Sequence, residues 1–458
     1  MKSKQFDLTE GKILHKLLII ALPMMAGQVF QMLYNLIDMF FLGRISSDAV
    51  AASGSAGMFL WLSFAFILLG SIGAGIGVSQ SLGKKDEELA RKYSQNAMLV
   101  AIVIGLLYST VMIVFSRQMI GFLQIQEEHV VADAMAYLQI VALSLPMSFV
   151  NFVFNATFNG SGNSKFPFYV KATGLIINII LSPILIFILG MGVTGAALAT
   201  VVAQSTVTII FLYAMKRYKH RPFAEYRYRD IFKVDQKVVK QIFKWSLPVS
   251  LESLCFTILT MIIARFIASF GAGAIAANRV GTQIESLSWL VGGGFAMALT
   301  SYVGQNFGAK RWDRIHKGFR MSALIMSTYG LLITLLLFFG ANFLFRLFIS
   351  EPEIVSLGIA HLRIFSLVQL VGCLEAIAVG AFRGVGKTKP PSIVSVIFNF
   401  LRVIAAYYLS QTALGLNGIW VGMALGNLFR GLVLLAWYLL FARKQPGEEV
   451  ALETAEAV

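Results

Sequence analysis

Asp38 is the residue whose position most demands a chemical explanation. It stands inside an apolar run that begins near Lys16 and ends near Leu42. An ionisable residue at membrane depth is costly and marks a functional position by default. Counting the helical rise from Gly43, Asp38 lies about 8 Å inside the membrane end of that run. Gln31, Tyr34 and Asn35 lie seven, four and three residues before it, on the same helical face. Two chemistries fit. A low dielectric disfavours the charged form of a carboxylate, so Asp38 can exchange a proton near neutral pH. As a carboxylate it can instead hold a hard cation such as Na⁺ together with amide and hydroxyl oxygens. A structural ion pair has no obvious partner, because no Arg falls in the membrane part of this half and Lys171 sits near the opposite face.

The second half of the chain has a different inventory. It carries Glu252, Glu285 and Glu375 within apolar runs, with Arg265, Arg279, Arg363, Arg402 and Arg430. Pairing is easy there, for example Glu285 with Arg279. For Glu285 and Glu375, structural pairing and substrate contact stand as equal alternatives, since buried pairs need not be functional.

Other signals lead away from enzymes. Ala381-Phe-Arg-Gly-Val-Gly-Lys-Thr388 misses a phosphate-binding loop by one residue, Ala where Gly is required, and an apolar helix precedes it instead of a strand. The five His residues show no ligand spacing, and Cys255 and Cys373 both fall inside apolar runs. No metal and no cofactor is expected. The glycines Gly73, Gly75 and Gly77, and the run Gly292–Gly294, suit close helix packing better than hinges.

The elements that must position these residues are membrane helices. Hydrophobic residues make up 57% of the 458 and charged ones 13%, against about 25% charged in soluble domains. Twelve apolar segments are predicted, at roughly 16–43, 49–82, 93–116, 132–158, 166–190, 193–215, 242–268, 274–306, 318–348, 357–382, 391–411 and 416–442. The first is too long for a signal-peptide core.

The chain also repeats itself. Leu22-Pro23 recurs as Leu247-Pro248, and Ala49-x-Ala-Ala52 as Ala274-x-Ala-Ala277. Val78-x-Gln-x-x-Gly-x-Lys85 recurs as Val303-x-Gln-x-x-Gly-x-Lys310, and Gly160-x-Gly-x-x-Lys-x-Pro167 as Gly384-x-Gly-x-x-Lys-x-Pro391. Ordered matches over nearly the whole chain define a duplication of six segments. An even number of spans gives both halves one orientation, related by a pseudo-two-fold axis along the membrane normal. The expected fold is therefore an all-α membrane protein, with twelve transmembrane helices in two six-helix bundles. Its parts are an N-terminal lobe (1–215), a cytoplasmic linker (216–240), a C-terminal lobe (241–442) and a cytoplasmic tail (443–458). The position equivalent to Asp38 is Ile263.

The net charge of +15 follows the membrane and not a nucleic acid. With both termini cytoplasmic, 29 of the 38 Lys and Arg residues face the cytoplasm and three, Arg44, Arg117 and Arg346, face outward.

Four stretches together resemble the multidrug and toxic compound extrusion (MATE) family. They are Leu36-Ile-Asp-Met-Phe-Phe-Leu-Gly43, Gln305-Asn-Phe-Gly-Ala-Lys310, Gly380-Ala-Phe-Arg-Gly-Val-Gly-Lys-Thr388 and Gly190-Met-Gly-Val-Thr-Gly-Ala-Ala-Leu-Ala-Thr200. The pattern is closer to the DinF-like prokaryotic branch than to the NorM-like one. The resemblance implies export of small amphipathic, often cationic compounds from the prokaryotic cytoplasmic membrane, driven by inward H⁺ or Na⁺. It implies a coupling site containing Asp38, with Asn178 on the fifth segment and Thr200 on the sixth. The family commonly has Asp before the proline that is Pro183 here, whereas this chain has Ser182. Substrate contacts are expected from Gln31, Tyr34, Asn35, Asn155, Glu285 and Glu375. A monomer in contact with membrane lipid is expected. A flippase for a lipid-linked substrate is the alternative, kept open by the five membrane Arg residues.

Overall fold

The computed structural model describes residues 7–125, 127–217 and 226–445, except the side chains of Tyr34, Asn35 and Leu287. The expected linker and tail therefore lie partly outside the described residues. Among those described there is no strand.

The helices in chain order are α1 (Ile13–Gly43), α2 (Ser47–Gly83), α3 (Glu87–Val114), α4 (Ser116–Phe122), α5 (Glu128–Ala142), α6 (Leu145–Gly160), α7 (Lys165–Pro183) and α8 (Gly192–Arg217). Then follow α9 (Gln236–Ala268), α10 (Ala272–Gly308), α11 (Trp312–Phe339), α12 (Ala341–Arg346), α13 (Pro352–Gly384), α14 (Lys389–Ser410) and α15 (Leu416–Arg443). Eleven helices are long and apolar enough to cross a membrane. The pair α5 and α6, bent by 46°, makes a twelfth span. Twelve spans in an all-helical duplicated chain are what the apolar runs predict.

Local chemistry sets the helix ends. Ser46 accepts from the Ala49 N–H at the start of α2, and Asp86 accepts from the Leu89 N–H at the start of α3. The repeated motifs are turns. Lys85 and Lys310 end their motifs in the left-handed conformation, at φ 61° and 58°. Gly162 and Gly386 do so at φ 84° and 79°. The segment around Gly386 is thus a tight connection between α13 and α14, as its helical context predicts.

The chain forms two compact units. One runs from Ala26 to Ser250, and the other combines Leu8–Met25 with the chain from Leu251 onward. These packing units do not coincide with the lobes read from the repeat. Residues 8–25 of the first repeat pack in the second unit, and residues 241–250 of the second repeat pack in the first. Both changes fall two or three residues past the duplicated prolines Pro23 and Pro248, inside α1 and α9. A helix-interior proline removes a backbone hydrogen bond and permits a bend.

Within the first unit, α2 packs on α3, α5 and α6, and α7 packs on α8. A Cβ at Gly73 would come within 2.6 Å of Ile242, and one at Gly77 within 2.3 Å of Tyr93. Within the second unit, α10 and α15 pack on α13, and a Cβ at Gly294 would meet the Met25 backbone at 2.6 Å. The glycines permit close approach, the role favoured by their membrane context.

The entry to the second unit is also clasped. Leu8 is fully buried. Its N–H donates to Gln305 Oε1 at 2.9 Å, and its carbonyl accepts from Asn306 and Arg314 at 3.2 and 3.3 Å. Arg314 also donates to the Gly11 carbonyl at 3.1 Å. The repeated Gln305 thus has a structural use that its motif does not announce.

Candidate functional site

The site in the first unit is assembled by α1, α7 and α8. Asp38 projects from the half of α1 that packs in this unit. Asn178 hydrogen-bonds the Asp38 carboxylate, and Thr200 Oγ1 donates to Asp38 Oδ2 at 3.5 Å. Asn178 is fully buried and Thr200 nearly so. Ser182 is one turn beyond Asn178 on α7, fully buried, and immediately precedes Pro183 and a π-helical turn, Ile184–Ile188. Proline cannot donate to the turn before it, and single π turns of this kind recur at functional sites. Asp38 Oδ1 and Ser182 Oγ have no hydrogen-bond partner among the described residues. The structure therefore brings Asp38, Asn178 and Thr200 together and places Ser182 on the adjoining turn. Tyr137, on α5, lies within electrostatic reach of Asp38. Nothing local to Tyr137 in the sequence signals this.

The arrangement is one carboxylate among neutral donors. Neutral partners leave its charge uncompensated, which suits reversible neutralisation by a proton or Na⁺.

Gln31 does not belong to that cluster. It lines a cavity of the same unit with Phe30, Asn151, Phe152, Lys171 and Gln204. Asn155 is buried and accepts from Asn159 Nδ2 at 2.5 Å. Tyr34 and Asn35 lie on α1, and their side chains are outside the described residues.

The three acidic residues singled out in the second unit, Glu252, Glu285 and Glu375, each have a polar neighbour. Glu375 faces Arg430 at two points, Nε–Oε1 at 2.7 Å and Nη2–Oε2 at 3.2 Å. Glu285 meets His361 Nδ1 at 3.3 Å, both side chains almost fully buried, so its neighbour is His361 and not the expected Arg279. Arg279 and Glu285 stand six residues apart on α10, a spacing that does not share a helical face as three or four residues do. Glu252 accepts from Ser392 at 2.8 Å.

A duplicated, all-helical, multi-pass membrane chain with buried polar clusters has the build of a membrane transporter. Comparison with known proteins makes that specific. The MatE family model matches residues 23–184 and again 248–408. The chain belongs to this family of multidrug and toxic compound extrusion proteins.

A probable multidrug resistance protein NorM of Thermotoga maritima is 28% identical over 446 residues, covering 93% of this chain and 92% of the relative. The probable multidrug resistance protein YoeA of Bacillus subtilis is 24% identical over 436 residues, covering 92% and 93%. The multidrug export protein MepA of Staphylococcus aureus is 24% identical over 455 residues, covering 96% and 97%. Among solved structures, an outward-facing multidrug resistance MATE family transporter superposes with a TM-score of 0.89 at 22% identity, covering 96% of this chain and 98% of that one. A MOP superfamily transporter from Pyrococcus furiosus gives the same values. These two likenesses concern the fold.

Proposed function

We propose that this chain is a secondary active exporter of small amphipathic compounds, often cationic, in the prokaryotic cytoplasmic membrane. Inward flow of H⁺ or Na⁺ drives it by antiport and alternating access. The observation that carries this reading is Asp38, a membrane carboxylate held by Asn178 and Thr200 without a cationic partner among the described residues. Loading and unloading the coupling ion changes the charge at that point. Only a ligand with different affinity for two conformations can shift them, and a buried charge supplies such a difference. The family membership and the named relatives support export as the task. The Lys and Arg bias supports cytoplasmic termini. The chain acts as a monomer and catalyses no covalent reaction.

The flippase alternative needs free cations for phosphates. Arg430 is engaged by Glu375, and Arg402 donates to Thr260 at 2.9 Å and lies over Phe256. The neutralisation of Arg430 by Glu375 favours the exporter. Reconstitution in proteoliposomes tests it, with H⁺ and Na⁺ gradients imposed separately and efflux of a fluorescent amphipathic cation followed. Efflux under one gradient, lost in Asp38→Asn, is expected. Equal efflux without any gradient overturns the reading.

A further inference from the structure

Arg402 stands deep within α14, about 20 Å along the helix from Lys389 by the helical rise, and its side chain is buried. Its Nη2 donates to Thr260 Oγ1 at 2.9 Å, and its guanidinium carbon lies 4.7 Å from the centre of the Phe256 ring. Thr260 is one turn beyond Phe256 on α9 and gives its own proton to the Phe256 carbonyl at 2.7 Å. Neither partner carries a charge. The buried Nε of Arg402 has no hydrogen-bond partner among the described residues. The carboxylates of the unit are engaged elsewhere. Glu375 is held by Arg430, and Glu252, two turns before Thr260 on α9, accepts from Ser392.

The charge within electrostatic reach of Arg402 has the same sign, Arg430 of α15. Packing explains their proximity. A Cβ at Gly426 would collide with the Cβ of Arg402, and Arg430 follows Gly426 by one turn. Arg430 Nη1 donates to Asn399 Oδ1 at 3.4 Å, and Asn399 precedes Arg402 by one turn of α14. Two guanidinium groups thus meet at the α14–α15 contact, and Glu375 balances one of them. A cation within a membrane span without a counter-charge is costly, and an aromatic face offsets only part of that cost.

The duplication gives this excess charge a counterpart. The offset between the halves is 224 at Pro167 and Pro391, and 223 at Gly192 and Gly415. The first half therefore holds one extra residue, which the π-helical turn Ile184–Ile188 absorbs beyond Asn178. Arg402 is then the equivalent of Asn178, as Ile263 is of Asp38. An acid with an amide in the first unit is replaced by an aliphatic residue and a guanidinium in the second, so the polarity of the position is inverted. We infer that Arg402, reinforced by Arg430, binds one small monovalent anion of the size of chloride in the second unit. The single uncompensated positive charge sets the valence, and the burial of the guanidinium sets the size.

The test is equilibrium dialysis of radioactive chloride against the purified full-length chain in phosphatidylcholine nanodiscs, with gluconate holding the ionic strength constant. The wild type is expected to bind one chloride per chain saturably, with bromide competing and gluconate not. Arg402→Met is expected to lose this binding, while Arg402→Lys, which keeps the charge, retains it in weakened form. Loss of a buried arginine also disturbs packing, so a second variant leaves Arg402 in place. Glu375→Gln frees the charge of Arg430 and is expected to raise the affinity for chloride at least tenfold. No saturable chloride binding by the wild type overturns the inference, as does undiminished binding by Arg402→Met or unchanged affinity in Glu375→Gln. A further arm uses nanodiscs containing phosphatidylglycerol. Unchanged chloride binding there supports a free inorganic anion, and its loss overturns this assignment in favour of a lipid headgroup phosphate. Binding is measured without an ion gradient, so the outcome does not depend on whether the chain pumps.

Discussion

Arg430 and Glu375 form a two-point ion pair between α15 and α13, at 2.7 and 3.2 Å. Asp38 is held differently, by the neutral groups Asn178 and Thr200. The contrast separates a charge that the fold meets with an opposite charge from one that it meets with neutral groups.

The pair should behave as a unit. Removing one member leaves a buried charge unpaired, so Arg430→Met is expected to destabilise the protein by about 3–5 kcal/mol. The double change Glu375→Gln with Arg430→Met should recover most of that loss. Thermal unfolding of the detergent-solubilised single and double variants measures the coupling. Additive losses would show that the two side chains act independently.

Asp38→Asn keeps the shape of the side chain and removes its charge. Gradient-driven efflux from proteoliposomes should fall to the background rate, while size-exclusion behaviour and melting temperature stay near wild type. Ser182→Asp places a second acid on the turn next to Asn178 and should change the relative response to H⁺ and Na⁺ gradients. Wild-type efflux by Asp38→Asn would remove the coupling site from the first unit.

Gly281 is pressed against His361. A Cβ there would lie 2.2 Å from His361 Nδ1. The imidazole has little room to yield, since Phe365 and Trp420 stand 4.7 and 4.9 Å from it, centre to centre. Gly281→Ala should therefore cost about 1–3 kcal/mol through overpacking. It should also disturb the Glu285–His361 contact. An unchanged melting temperature would show that α10 and α13 have slack at this point.

Arg314 ties the segment before α1 to α11 through the Leu8 and Gly11 carbonyls. Arg314→Met should loosen this clasp by about 3 kcal/mol, given the strength of hydrogen bonds from charged donors. Limited trypsin digestion at Lys12 and Lys16 should then proceed much faster than in wild type. Equal digestion rates would mean that Gln305 and Asn306 hold the segment alone.

Topology follows from the distribution of Lys and Arg. Single cysteines placed near Lys85, Tyr226 and Lys310 should be shielded from impermeant thiol reagents in intact cells, and those near Ser46 and Ser350 should react. Labelling of position 226 from outside would invert the orientation.

The amino-acid sequence by itself determined that this is a duplicated, twelve-span helical membrane protein. The reason is physical. Length, apolar runs and scarcity of charge report directly on the solvent around a helix, and the ordered repeats from Leu22-Pro23 to Gly384–Pro391 report on duplication. It also singled out Asp38, because a lone acid in an apolar run is conspicuous. Partners were another matter. Tyr137 near Asp38, His361 beside Glu285, Arg430 on Glu375 and Lys171 in an aromatic cavity depend on the rotation and register of helices far apart in the chain. Local periodicity does not encode those quantities, least of all in helices that are apolar on every side. Likewise, the switch of α1 and α9 between packing units past Pro23 and Pro248 is decided by tertiary contacts. A proline permits a bend, but the surfaces that bury each half of the helix select where it goes.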